Sequence, residues 1–267
     1  MKEAPMSKRI DIISGFYGGI DEDSRLTGSR HGQLEALTAM HYIRKYAAAG
    51  SRILEIGAGT GRYSIALAKA GHRVTAVELV ESNLAILRQN GSGLENLTAC
   101  QGDATDLTRF TDGSFDVTLL FGPMYHLYDA CDVHRALDEA IRVTRPGGVI
   151  LTAFLSVHAI LFNNYLNGRL LAGLDENFDE AGRVRHFEEQ LFTGYDIAEF
   201  EALFADKPVR RLVTAAADSI LELAEERRDF AMSDEEFAAF AAHHLSTCEL
   251  RELLGCSSHL LHICRKE

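Results

Sequence analysis

Three carboxylates placed close to glycines carry the first chemical signal in this chain. Gly57, Gly59 and Gly61 alternate with Ala58 and Thr60 directly after the apolar run Ile53-Leu54-Glu55-Ile56. Glycine has no Cβ, so such a loop lets a ligand lie against bare backbone. Glu55 sits inside the end of that run, Glu78 closes a second apolar run, and Asp103 follows Gly102 after a third. Carboxylates at these points can accept charge-assisted hydrogen bonds from ligand hydroxyls and amines. A second group follows Phe121-Gly122-Pro123, namely Met124, Tyr125, His126 and Tyr128. An imidazole ordinarily titrates near neutrality, which makes His126 a candidate general base with Tyr125 beside it. Tyr17, Arg30, His31, His186 and Phe187 are further candidates to reach a bound molecule. The pair His243-His244 has no Cys, Asp or Glu at metal-ligand spacing around it, so no metal site is expected.

The surrounding pattern says which elements must hold these groups. Apolar spacing predicts a helix over 33–46, with Gly50 just past its end. Short apolar runs predict strands at 52–56, 73–78, 97–101, 115–121 and 149–154. Helices are expected between them at 62–70, at 82–89 with Ser82 as cap, and at 134–144, with Pro146-Gly147-Gly148 as a turn. Strands alternating with helices at this spacing imply βαβ units and a parallel sheet whose sites lie at the strand C-terminal ends. Residues 156–192 are expected to form a largely helical insertion. A helix at 196–205, a strand at 209–214, an acidic helical excursion at 219–254 and a last strand at 259–264 complete the expectation. Residues 16–26 read as an acidic, glycine-rich loop.

Composition narrows the class. The chain has 267 residues, 46% of them hydrophobic, which is enough for one sizeable core. Its formal net charge of −12 disfavours a phosphate backbone as partner. No apolar stretch is long enough to span a bilayer, and residues 1–9 lack a signal-like apolar core. Five scattered cysteines without a C-x-x-C pair fit reduced thiols. A cytoplasmic monomer or homodimer, with no membrane and no nucleic acid as partner, is the expectation.

The glycine loop alone would also suit a nicotinamide enzyme, but that fingerprint wants its third glycine where Arg62 stands. Taken as a set, the blocks resemble the class I S-adenosylmethionine-dependent methyltransferases. The stretch Glu55-Ile56-Gly57-Ala58-Gly59-Thr60-Gly61 is similar to that family's first motif. Val77-Glu78-Leu79 resembles the acidic strand end that takes both ribose hydroxyls, and Gly102-Asp103-Ala104 the turn that contacts adenine. Phe115-Asp116-Val117 leading to Phe121-Gly122-Pro123 resembles the fourth strand and its active-site exit, and Arg145-Pro146-Gly147-Gly148 the turn before the fifth.

The resemblance implies a Rossmann-like doubly wound α/β sheet of seven strands, mostly parallel with an antiparallel last strand. Around it would lie a helical N-terminal segment (1–50), a cofactor core (51–155), an inserted cap (156–192) and the rest of the sheet (193–267). It implies S-adenosylmethionine as cofactor and S-adenosylhomocysteine as product. The implied contacts are Tyr17, Glu55, Gly57, Ala58, Gly59, Gly61, Glu78, Leu79, Asp103, Ala104 and Phe121, with His126 and Tyr125 as catalytic candidates. The exit lacks the Asn-Pro-Pro-Tyr type motif of base-modifying relatives, which favours a small-molecule acceptor, whether O, N or C. The competing expectation is a cofactor-binding partner or sensor without turnover.

Overall fold

The structure, a computed structural model, describes residues 8–18, 28–188 and 190–267. Two helices, α1 (Lys8–Tyr17) and α2 (Arg30–Tyr46), precede the sheet. Ser29 caps α2 by accepting from the Gly32 N–H. The expected loop at 16–26 reaches α1, since Phe16 and Tyr17 end that helix; its residues 19–26 lie outside the described residues.

The apolar runs form β1 (Arg52–Ile56), β2 (Arg73–Glu78), β3 (Leu97–Gln101), β4 (Phe115–Leu120) and β5 (Thr144–Ser156). Between them run α3 (Arg62–Lys69), α4 (Glu81–Asn90) and α5 (Ala130–Val143). After β5 come α6 (Val157–Tyr165), α7 (Leu170–Asn177), a two-residue β6 (Gly194–Tyr195) and α8 (Ile197–Ala202). The chain ends with β7 (Val209–Ala216), α9 (Leu221–Glu225), α10 (Asp234–Thr247), α11 (Arg251–Leu254) and β8 (His259–Lys266).

The sheet order is β3-β2-β1-β4-β5-β8-β7, with β6 beside β5. Pairings among β1 to β5 are parallel, and β8 runs antiparallel to both β5 and β7. Strand order reverses between β1 and β4, which opens a crevice at their C-terminal ends. The core spans both sheet faces. Its centre is β5, where Phe154 stacks on Phe200 of α8 at 3.9 Å between ring centroids.

This is the expected α/β architecture, with an eighth strand added. β6 is too short to show any period in sequence. Asp129 accepts from the Cys131 and Asp132 N–H groups, so α5 begins earlier than the apolar pattern alone suggests. Ser82 does not cap α4, whose cap position is Val80. Arg145-Pro146-Gly147-Gly148 is an irregularity inside β5 rather than a turn before it, marked by a register shift against β4 and a φ of 73° at Gly147. The insertion is helical only to Asn177 and continues as irregular chain, and the excursion at 219–254 is broken into three helices.

The fold places Phe154 where the two halves of the sheet meet. Phe154→Ala is expected to lower the unfolding free energy by about 3–5 kcal/mol, the usual result of emptying a fully buried aromatic site. Chemical denaturation of the variant measures it.

Candidate active site

A cavity of about 430 Å³ opens at the strand C-terminal ends. One half is built by the glycine loop. The Gly57 and Ala58 N–H groups donate to the Val77 carbonyl at 2.9 and 3.1 Å, tying the loop to the end of β2. Glu78 tightens it further: one carboxylate oxygen accepts from Gly59 N–H at 2.8 Å and the other from Val80 N–H at 2.9 Å. The glycines serve different ends. A Cβ on Gly57 would stand 2.2 Å from the Phe121 carbonyl, so close chain packing requires glycine there. Gly61 is not on the cavity wall; it caps α3 at a φ of 93°, and a Cβ there would press on Leu87 of α4 at 2.8 Å.

The other implied contacts, namely Tyr17, Glu55, Gly57, Ala58, Gly59, Glu78, Leu79, Asp103, Ala104 and Phe121, all line this cavity. Glu55 is fully buried and accepts a short hydrogen bond from the Ser64 hydroxyl. Burial raises its pKa to about 8, the Ser64 bonds oppose the rise, and the nearby Glu78 charge adds to it. Asp103 is more occupied than expected. One oxygen accepts from Thr105 N–H and its hydroxyl, and the other pairs with Arg9 of α1 at 2.5 Å.

Tyr125 and His126 also line the cavity, in the turn that follows β4. The His126 Nδ1 lies 2.6 Å from the Leu191 carbonyl, which can only accept, so Nδ1 bears the proton. Its Nε2 then accepts from the Tyr17 hydroxyl at 3.0 Å. Burial lowers the His126 pKa to about 4, the Leu191 bond opposes this, and the Arg9 charge adds to it. Both ring nitrogens of His126 are thus engaged, and the ring joins α1 to the segment before β6, an arrangement that suits a wall group better than the general base expected of it.

Other candidates are dispersed. Arg30 pairs with Asp234 at 2.6 Å, away from the wall, whereas His31 lines the cavity with its Nδ1 2.5 Å from Glu225. His186 pairs with Glu199, and neither it nor Phe187 is on the wall. Met124 is fully buried in the core. Of the insertion, Ile160, Asn163, Asn164 and Phe192 reach the cavity, not the aromatic residues Phe162, Tyr165 and Phe178.

Apart from His31, the second half of the cavity was not read from sequence. It is walled by Leu155 and Ser156 at the end of β5, His31 and Glu35 of α2, Asn163 and Asn164 of α6, Glu222 of α9, and Ser258 and His259 at the start of β8. His259 Nδ1 lies 2.7 Å from Asp218. No spacing rule links these positions; they meet because β8 runs against its neighbours.

The cradle fits an adenosine joined to an amino acid. Glu78 offers a carboxylate, with about four acceptor sites in all, where ribose hydroxyls would lie. Thr60 Oγ1 is buried on the wall with no hydrogen-bond partner among the described residues, so a ligand polar group has a place there. The loop departs from the dinucleotide pattern at Arg62, which stands where that pattern has its third glycine. Fold and cradle together resemble those of the class I S-adenosylmethionine-dependent methyltransferases.

Comparison with known proteins agrees: residues 53–148 match the model of a methyltransferase domain. The chain is similar to a demethylmenaquinone methyltransferase of Clavibacter sepedonicus, 34% identical over 156 residues, covering 57% of this chain and 61% of that protein. It thus spans about six-tenths of the length of the curated relatives it matches. Among solved structures, the PH0226 protein of Pyrococcus horikoshii shares the fold with a TM-score of 0.61 at 17% identity, covering 95% of this chain and 99% of that one. So does a Burkholderia thailandensis 1,6-didemethyltoxoflavin-N1-methyltransferase, with a TM-score of 0.58 at 17% identity, covering 99% and 92%.

The raised pKa of Glu55 has a measurable consequence. A cationic amino group brought near it favours the carboxylate, so below pH 8 binding should release a proton. Affinity for S-adenosylhomocysteine is expected to rise with pH toward 8 and level off above it. Calorimetry at pH 7 in buffers of different ionisation enthalpy reads the proton, and Glu55→Gln should abolish the buffer dependence. A wild-type binding heat independent of buffer would place the cation elsewhere.

Proposed function

We propose that the protein binds S-adenosylmethionine and transfers its methyl group to a small-molecule acceptor held in the polar half of the same cavity. The observation that carries this reading is continuity: the glycine-loop cradle and the polar wall of Glu35, Asn163, Ser258 and His259 share one cavity. Its volume lies in the usual range for small organic ligands. When bound, the cofactor supplies a methyl already activated on a sulfonium. The protein's part is to orient the two molecules and to keep water out. Glu78 would take the ribose hydroxyls, Asp103 and Ala104 the adenine, and Glu55 the ammonium side. Tyr125, at the β4 exit, would set the acceptor's approach. The shared name of the curated relatives supports a small organic acceptor, and the aromatic side chains of Phe16, Phe192 and Tyr125 on the wall suit a flat one.

A cofactor-binding partner without turnover is the second reading. One observation favours it: the Tyr125-His126 exit is closed by Tyr17 and Leu191. The cavity continues beside that exit along the ends of β5 and β8, where an acceptor has room, which is why methyl transfer is preferred.

The donor assignment is tested by calorimetry with S-adenosylmethionine and with NADH. Micromolar binding of the first is expected; binding of NADH alone would defeat the assignment. Glu78→Gln should weaken cofactor binding by about 1.5–3 kcal/mol, the scale of hydrogen bonds to a charged group. Unchanged affinity would remove Glu78 from the contact set.

A further inference from the structure

We infer that His259, aimed by Asp218, is the general base for a phenol-type acceptor, an inference that rests on the methyl-transfer reading above. The dyad is built with care. Asp218 is fully buried in the turn after β7. One of its oxygens accepts from the Ser257 hydroxyl at 2.6 Å and from the Ser258 and His259 N–H groups at 3.0 and 3.2 Å. The other accepts from His259 Nδ1 at 2.7 Å. Ser257 Oγ in turn accepts from the N–H groups of Ala217, Asp218 and Ser219 at 3.1, 3.2 and 3.0 Å. Ser219 holds a φ of 57°, the only positive φ at a non-glycine among the described residues. Strained backbone of this kind persists where its surroundings over-determine it.

Because a carboxylate holds Nδ1–H, the ring is fixed in one tautomer and Nε2 carries the lone pair. That nitrogen belongs to a ring on the cavity wall and stands 4.0 Å from a Glu35 oxygen. The charged groups facing the ring are Asp218, Glu35 of α2 and Glu222 of α9, with Tyr125 edge-on at 5.8 Å and His31 on the same wall. An imidazolium formed here is flanked by Asp218 and Glu35, which favours taking a proton. In the step, Nε2 takes the hydroxyl proton while the oxygen's electron pair forms the bond to the methyl carbon. The carbon–sulfur pair leaves on sulfur, and the sulfonium becomes a neutral thioether. The acceptor class follows from matching: imidazole removes a proton from a phenol, at a pKa of about 10, far more readily than from an alkanol, and the cavity has rings to hold one.

Asp218, Glu222 and His259 also place three donor atoms within 4.8 Å of one another. The 2.7 Å separation between Asp218 and Nδ1 is that of a proton-bridged pair, so the dyad reading uses that proton where a cation would need it gone.

The test offers methyl-labelled S-adenosylmethionine with two sets of probes: catechols and hydroquinones, which arrive protonated, and dinitrophenols, which arrive ionised. Alkyl amines and thiols are run alongside. The expected result is methyl transfer to the protonated phenols that falls about 100-fold or more in kcat in His259→Gln, with cofactor affinity unchanged and a much smaller loss on dinitrophenols. Asp218→Asn should lower kcat by about tenfold or more and move the acid limb of the pH–rate profile. An equal loss on both phenol sets would show a structural role and overturn the proposal. So would transfer only to amines or thiols, or to no probe by a protein that binds the donor, or turnover abolished by a chelator and restored by Mg²⁺. Failure to bind the donor at all would instead defeat the methyltransferase reading.

Discussion

The glycine loop keeps its shape because one carboxylate bridges two backbone turns. Glu78 ends β2 and accepts from Gly59 in the loop after β1 and from Val80 before α4. Without that bridge the Gly59 N–H would lose its acceptor, and an N–H left unsatisfied away from water is costly. The carboxylate that the resemblance assigns to a ribose is therefore structural first. Its neighbours follow from it. The Gly102 N–H bonds to the Glu78 carbonyl at 3.1 Å, which sets the turn that carries Asp103. Glu55 is left buried close to a second acid, and its raised pKa is the electrostatic result.

The other half of the cavity depends on strand direction. Parallel strands deliver their C-terminal ends to the crevice, and β7 does so with the residues leading to Asp218. An antiparallel β8 delivers its beginning, Ser258-His259, to the same edge. One reversal in the sheet thus brings together two segments about forty residues apart. The turn after β7 is then closed by Ser257, whose single hydroxyl gathers three N–H groups, so the position of Asp218 does not rest on loose loop contacts.

Legibility in the sequence divides along the same line. The donor half is local: strand, glycines and helix follow one another, and each acid ends its own strand, so Glu55, Glu78 and Asp103 could be placed by pattern. The parallel strands were legible for the same reason, whereas the antiparallel direction of the last strand was implied by the resemblance. Gly61 shows the limit of a motif, since its glycine is required by the approach of α4 and not by the cavity. Asp103 shows another, because no periodicity announces that Arg9, in a helix the sequence pattern did not reveal, would pair with it. His126 was found by position, yet its chemistry was decided by the Leu191 carbonyl, sixty-five residues away along the chain.

His259 was visible only as the first residue of an apolar strand, a setting where a histidine ordinarily reads as a strand end. Nothing near it in sequence is acidic; its partner stands across β7 and the whole helical excursion. A base that must meet a substrate drawn from solution belongs at a place where several segments converge, because only there can one side of a ring be fixed by buried groups while the other faces the cavity. His126 and His259 sit on one wall and illustrate the two results. The first is bound on both nitrogens, by a carbonyl and a hydroxyl, and burial holds its pKa near 4. The second is bound through Nδ1 to a carboxylate, with Glu35 4.0 Å from its other nitrogen. A carbonyl and a hydroxyl suit a neutral ring that supports a wall, whereas two flanking carboxylates suit a ring that is to become charged.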